Sequence, residues 1–338
     1  MKALVLKGFG GVDQLVVEEI NNLKPDKGEA VVQIYSASLN RRDVWIRLNK
    51  YPNIQLPAIL GSDGSGKVIS VGSDDNKNLI GKDVVIYPGF NWGESTEYQK
   101  KDMMILGMPK PGTCAEEVLV PITNLFDKPK NLTFNETATL PIAGLTAFRA
   151  ITNKARPKTD ETVLITGIGG GVAMFALQFA LMFTKNVFVT SSSEQKISKA
   201  ISLGAIGGIV YSTEKNIKEQ ILNITKGKGI DVVIDGTTGD NLTQLIDVVN
   251  SGARIVIYGS TSLTPLTIPA RHLFWKQIKI LGTTFGTMEE FKKMLSFIEE
   301  HNIHPIIDSV FSFNDFKEAY KKLEKGNQCG KIVIEIKK

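Results

Sequence analysis

A run of glycines stands between an apolar, β-rich stretch and an apolar helical one, and this placement is the first sign of chemistry in the chain. Thr162-Val163-Leu164-Ile165-Thr166 leads directly into Gly167-Ile168-Gly169-Gly170-Gly171-Val172-Ala173. Glycines permit a tight strand-to-helix turn and let the backbone come close to an anion. The helix start adds unpaired N–H groups and a partial positive charge. The spacing is not a strict G-x-G-x-x-G, because Val172 stands where the last glycine would fall. A G-x-x-G-x-x-A frame through Gly167, Gly170 and Ala173 fits instead. The chemistry this suggests is pyrophosphate binding, with Gly170, Gly171 and Val172 at the contact; a purely structural turn is the competing reading.

The next strand refines the ligand. Dinucleotide sites that hold a free ribose diol place a carboxylate about 20 residues past the glycines. Here Val187-Phe188-Val189-Thr190 continues into Ser191-Ser192-Ser193-Glu194-Gln195-Lys196, with no carboxylate at the strand end. Hydroxyls at Ser191 and Ser192, with Lys196 a turn further on, suit a 2′-phosphate, which favours NADPH over NADH. The same residues also read as helix capping boxes, Ser191-x-x-Glu194 and Ser192-x-x-Gln195.

These groups need elements to hold them. From about residue 134 onward, strand candidates at 162–166, 187–190, 209–211, 231–235, 254–258 and 278–281 alternate with helical patterns at 172–183, 194–203 and 217–225. Such alternation predicts a six-stranded parallel sheet covered on both faces, the doubly wound dinucleotide fold. Residues 1 to about 126 read as short strands parted by Gly, Pro and Asp, among them 3–6, 30–34, 66–71 and 83–86. The stretch 136–153 is helical but contains Pro141 and Gly144, which predicts two pieces. After the α/β region, 288–301 is amphipathic with Phe291, Met294, Leu295 and Ile298 on one face. A helix follows at 315–323, and a strand at 331–336. A closing strand outside the alternation is expected to return to the first sheet. The α/β domain, 127–299, is then an insertion into a domain made of 1–126 and 300–338.

Taken together, these segments resemble the medium-chain dehydrogenase/reductase superfamily, in its zinc-free, quinone oxidoreductase-like branch. The residues that carry the resemblance run nearly the length of the chain: Leu39-Asn40-Arg41-Arg42-Asp43-Val44-Trp45-Ile46-Arg47, Tyr51-Pro52, Leu60-Gly61-Ser62-Asp63-Gly64-Ser65-Gly66, Leu140-Pro141-Ile142-Ala143-Gly144 and the Gly170-Gly171-Val172 turn. The resemblance implies an α/β protein with a GroES-like, β-rich catalytic domain around an inserted Rossmann domain, a cleft between them, and a homodimer. It places Lys196 and Tyr211 near the adenosine 2′-phosphate, and Tyr258, Gly259 and Phe285 beside the nicotinamide. It sets Asn40, Trp45 and Tyr51 in the substrate pocket, with Trp45 in place of a common Tyr. Asn40 is the expected hydrogen-bond donor to the substrate oxygen, and Tyr51 a donor, a proton source or a hydrophobic lid. Asp63 is expected to brace the pocket. Zinc members carry ligands near Asn40, Ser62 and Ala143; none of these three is a good zinc ligand, so no metal is expected.

Bulk properties exclude several other classes. The 338 residues are 42% hydrophobic and 22% charged, which suits two globular cores. A net charge of +5 spread without long basic runs or interleaved aromatics argues against nucleic acid as a partner. The apolar stretch at 1–8 is too short for a signal-peptide core, and 172–183 falls short of a membrane span. Two distant cysteines, Cys114 and Cys329, suit a reducing cytoplasm. A hydride transfer from NADPH to a quinone or α,β-unsaturated carbonyl is the leading expectation. A zinc-free alcohol or carbonyl dehydrogenase is the second, and a crystallin-like or RNA-binding protein with a regulatory cofactor site the third.

Overall fold

The computed structural model describes residues 1–211, 217–262 and 264–337. The chain divides into two units, Met1–Leu145 with Thr287–Lys338, and Thr146–Gly286.

The inserted unit holds six strands in the order Gly207–Val210, Val187–Ser191, Val163–Ile165, Ile230–Asp235, Val249–Ile257 and Lys279–Gly282. Every neighbouring pair is parallel. The first three strands are laid down outward from Val163–Ile165 and the last three on its other side. The direction in which strands are added therefore reverses beside that strand, the kind of switch point at whose carboxyl ends open α/β sheets bind ligands. Val163, Leu164, Ile165, Val232, Val233 and Ile234 are wholly buried, as expected for central strands covered on both faces.

The outer unit carries a seven-stranded sheet. Its main path runs Leu125–Asp127, Asp83–Ile86, Asp63–Val71, Glu29–Ser38, Lys331–Glu335 and Ile307–Ser312, with Glu117–Pro121 also paired to Glu29–Ser38. The closing strand does return to the first sheet: Val333, Ile334 and Glu335 pair antiparallel with Ser38, Ala37 and Ser36. The core beneath includes Leu4, Leu6, Val32, Ile34 and Ile334, each worth about 1.5–3 kcal/mol when taken out of water.

The division falls elsewhere than at the expected boundaries of 126/127 and 299/300. Residues 134–145 stay with the outer unit because Phe134 stacks on Tyr35 at 4.5 Å and Asn135 accepts a hydrogen bond from Ser36. The helix Met288–Glu300 joins it because the Phe291 ring packs against Phe126 and Tyr87, at 5.2 and 5.6 Å. The stretch expected as two helical pieces is four short ones: Phe134–Thr137, Leu140–Gly144, Leu145–Arg149 and Ala150–Ala155. The second and fourth are π-helical turns. Among the described residues, no helix is long and apolar enough to cross a membrane.

Candidate active site

In the inserted unit the glycine turn lies at the carboxyl end of Val163–Ile165. Gly167 and Gly169 take positive φ, +61° and +120°, which a side chain there would strain. Gly170 caps the helix Gly171–Ala180. A Cβ at Gly170 would meet nothing closer than the Gly167 carbonyl, 3.8 Å away, so the turn leaves an open cradle. At Gly169 a Cβ would sit 2.6 Å from Cδ of Lys196, which shows that the lysine stem lies across the turn. An anion at the helix start would therefore have Lys196 beside it.

The neighbouring groups follow from strand ends. Ser191 is buried; its hydroxyl donates to the Ile168 carbonyl at 3.2 Å and accepts from the Ser193 N–H. The helix starts one or two residues later than the capping boxes read from the sequence. Ser191 is still in its strand, and Ser193 is the cap of the helix Glu194–Ser202, without a side-chain capping bond. Ser192 leaves the strand one residue on and is exposed. Tyr211 is half-buried and donates its N–H to the Ser191 carbonyl at 3.0 Å. Tyr258 follows the fifth strand and bonds through its N–H to Asp235 O at 2.9 Å. Burial pushes its phenol well above the ordinary range, and the Asp235 charge adds to this. Its ring lies against Gly236, where a Cβ would be 2.3 Å from the ring edge. Gly259 comes next, and Phe285 is buried with φ of +31°.

In the outer unit Asp63 is the hub. It opens the strand Asp63–Val71 and is fully buried. Its Oδ2 accepts from Asn40 Nδ2 at 2.8 Å, Ser38 Oγ at 3.0 Å and Lys331 Nζ at 3.0 Å, while Oδ1 accepts from the Ile142 N–H at 2.9 Å. Lys331, the first residue of the closing strand, also donates to Leu39 O at 2.9 Å and Asn40 Oδ1 at 2.7 Å. All three of its ammonium protons are thus taken. Asn40 caps the helix Arg41–Arg47 and is held at both ends of its amide. One Nδ2 proton goes to Asp63; among the described residues the second has no hydrogen-bond acceptor. The ammonium on Oδ1 polarises the amide and strengthens that N–H as a donor.

Tyr51 reaches this group through Arg42, whose guanidinium carbon lies 5.2 Å from the centre of the phenol ring. Trp45 is half-buried and carries Lys50 over its ring at 5.5 Å. Asp43 accepts from the Asn40 N–H at 2.8 Å; burial pushes its carboxyl up, against the opposing charge of Arg42.

Comparison with known proteins places this geometry. Residues 26–130 match the alcohol dehydrogenase GroES-like domain, and residues 171–300 match the zinc-binding dehydrogenase family. A zinc-type alcohol dehydrogenase-like protein of Schizosaccharomyces pombe is 35% identical, covering 99% of each chain. The chain belongs to the medium-chain dehydrogenase/reductase superfamily. A quinone oxidoreductase-like protein 2 of Bos taurus is 26% identical, over 96% of this chain and 89% of its own. A crystal structure of an NAD-dependent alcohol dehydrogenase superimposes with a TM-score of 0.92 at 33% identity, covering 99% of this chain and 100% of that one.

At the positions where the resemblance to the superfamily places zinc ligands, the chain holds an amide at Asn40, a hydroxyl at Ser62 and a methyl group at Ala143. Zinc sites are built from thiolate, imidazole and carboxylate donors. The Asn40 amide is tied to Lys331 and Asp63, and Ser62 accepts from Arg42 while donating to Leu106 O at 2.8 Å. Among the described residues, no group of three or more His, Cys, Asp and Glu is placed to hold a metal ion. These residues do not fit zinc. The turn at 167–171 does fit a dinucleotide pyrophosphate. The turn is thus the part of the inserted unit that would cradle a dinucleotide, while the groups at Asn40, Ser62 and Ala143 are poor zinc donors.

Sequence reasoning missed Lys331 and Ser38. The available signal for Lys331 was a lysine opening an otherwise apolar strand, Lys331-Ile332-Val333-Ile334. A cation there needs a buried counter-charge, and Asp63 provides it.

Proposed function

We propose that the protein reduces quinones or α,β-unsaturated carbonyl compounds with NADPH and without a metal. The observation that carries this reading is the donor set at the family's zinc position, where an amide already tied to a lysine and an aspartate stands in place of ligands. Without a Lewis acid, a simple carbonyl is hard to polarise. A quinone or enone spreads the incoming charge onto its oxygen and needs only a well-held hydrogen-bond donor. NADPH, when bound, supplies the hydride. Asn40, locked by Asp63 and Lys331, offers its free amide N–H to the acceptor oxygen without a reorganisation cost. Tyr51 offers a hydroxyl as donor or proton source, or closes the pocket as an apolar lid; solvent can protonate a quinolate.

The preference for NADPH rests on the lysine stem across the glycine turn and on the hydroxyl-rich end of Val187–Ser191, which holds no carboxylate. The reading extends to a homodimer in a reducing cytoplasm, with Lys279–Gly282 as one edge strand of the sheet. A second reading, a zinc-free alcohol or carbonyl dehydrogenase, is favoured by the names of the alcohol dehydrogenase-like relatives. It needs a proton relay to a carbonyl oxygen. His272 pairs with Asp247 and His304 with Glu136, so neither joins the Asn40 network, and Lys331 holds its protons on three internal acceptors.

Steady-state NADPH oxidation with a panel of quinones, enones, aldehydes and ketones, in the presence of a chelator, tests the proposal. Turnover confined to quinones and enones is expected. Folded protein that turns over only the simple carbonyls, or none of the panel, contradicts it.

A further inference from the structure

The polar groups around Asn40 include two cations, and they are used differently. Lys331 has every donor engaged inside the protein. Arg42 does not. Its hydrogen bonds all leave from Nη1, to Ser62 Oγ and to Leu106 O at 2.8 Å, and its guanidinium carbon lies over the Tyr51 ring, 5.2 Å from the centre. Among the described residues, Nε is buried without a hydrogen-bond partner and Nη2 donates to no protein group. Nε and Nη2 form one edge of the guanidinium, the fork with which arginine receives a paired or single anionic oxygen. Two anchors and an aromatic face fix the cation, and the fork is left without a protein acceptor.

The place of this cation is informative. Ser62 and Asn40 stand where zinc members of the superfamily carry ligands, and Arg42 is bonded to the first and lies two residues from the second. A fixed positive charge therefore stands beside Ser62 and Asn40 and would oppose a divalent cation there. We propose that Arg42 is the electrophile of this enzyme, binding through Nη2 the acceptor oxygen that becomes anionic on reduction, together with the free N–H of Asn40. The proposal deepens the quinone and enone reading and rests on it for the identity of that oxygen. It selects acceptors in which the negative charge settles on one exposed oxygen within reach of a planar cation.

The charges facing Arg42 are the adjacent Asp43 and, around Asn40, the paired Asp63 and Lys331. All are unchanged in an Arg42 variant. The probe is 4-nitrophenol, whose phenolate oxygen mimics the enolate or quinolate and whose ionisation is read by absorbance. It needs neither cofactor nor turnover. On the wild-type protein the bound phenol is expected to ionise about one pH unit lower than in water, a tenfold preference for the anion. Arg42→Lys keeps the charge and should keep part of that shift. Arg42→Gln and Arg42→Met should abolish it; the methionine retains an apolar stem against Tyr51 should the glutamine variant fail to fold. With a quinone acceptor, kcat is expected to fall about 100-fold in the neutral variants with little change in KM. A folded neutral variant that shifts the probe as the wild type does overturns the proposal, and so does a wild type that shows no shift. A probe shift that depends on Arg42 in a protein without reductase turnover would leave the anion site standing and remove the reductase reading instead.

Discussion

Replacing Lys331 with methionine removes a charge from the middle of the outer unit while keeping the length of the side chain. The ammonium lies 3.0 Å from Asp63 Oδ2, with side-chain exposures of 4% and 0%, so water cannot take its place. At that separation, an effective dielectric constant of about 20 gives a gross attraction of roughly 5 kcal/mol. The net loss is smaller, because Ser38, Asn40 and the Ile142 N–H still donate to the carboxylate. Breaking one side of a buried pair costs about 3–5 kcal/mol, and the lower end is expected here. With a urea slope of about 2 kcal/mol per molar, the midpoint should fall by about 1.5 M. The assay is urea unfolding followed by the fluorescence of Trp45 and Trp92, both in this unit, in a Trp275→Phe background that silences the other unit. Adding Asp63→Asn to Lys331→Met should recover at least about 2 kcal/mol relative to the sum of the single variants, since the pair then leaves no charge behind. A Lys331→Met midpoint within about 0.3 M of wild type, or strict additivity in the double variant, would refute the reasoning.

Glu161 pairs with Arg254, which also donates to the Ala155 carbonyl at 2.6 Å. Burial alone would raise the Glu161 carboxyl, but the Arg254 hydrogen bond and charge, with the Lys158 N–H, outweigh it and hold the group below its ordinary value. A depressed folded value adds stability above the ordinary glutamate range, near about 4.3, and that stability is lost as the pH falls through the folded value. Glu161→Gln should therefore cost about 2 kcal/mol at neutral pH and converge with wild type in strong acid; thermal melts at several pH values check this, and a gap that does not close contradicts it. Lys196→Ala should raise KM for NADPH by about tenfold or more and leave KM for NADH nearly unchanged, as loss of a charge-assisted contact to phosphate predicts. Equal losses with both cofactors would count against a 2′-phosphate contact. Gly236→Ala places a methyl group 2.3 Å from the Tyr258 ring and should cost about 1–3 kcal/mol while weakening cofactor binding, whereas Gly282→Ala, with no atom within 4 Å, should stay within about 0.5 kcal/mol. Differential scanning calorimetry and cofactor titration of the two variants separate these outcomes.

The inserted unit was legible because its strands are short apolar runs bounded by glycine or polar residues, so hydrophobic pattern alone locates them. Val249–Ile257 was the hardest to place. Its Asn250-Ser251-Gly252 segment reads as a turn, yet the strand continues through it across an irregular register from Ile230 to Val232. The structure divides at 145/146 and 286/287 rather than at 126/127 and 299/300, through contacts such as Phe134 on Tyr35 and Phe291 on Phe126 that join residues far apart in sequence. The glycine turn could be read from its spacing. The network around Asn40 could not. A lysine at a strand start and an arginine within Arg41-Arg42-Asp43 both look like solvated charges until the fold brings Asp63 to one and Ser62 and Tyr51 to the other. Local pattern records burial and period, but counter-charges that meet through sheet pairing leave no local mark.

The most direct test of the central claim follows the hydrogen itself. Metal-depleted protein is given NADPH carrying deuterium at the transferred position of the nicotinamide, together with an α,β-unsaturated ketone and a chelator. The account predicts the same rate with and without the chelator, and deuterium on the carbon β to the carbonyl. Turnover that stops with the chelator and returns with zinc, or deuterium on the carbonyl carbon of an alcohol product, would contradict it.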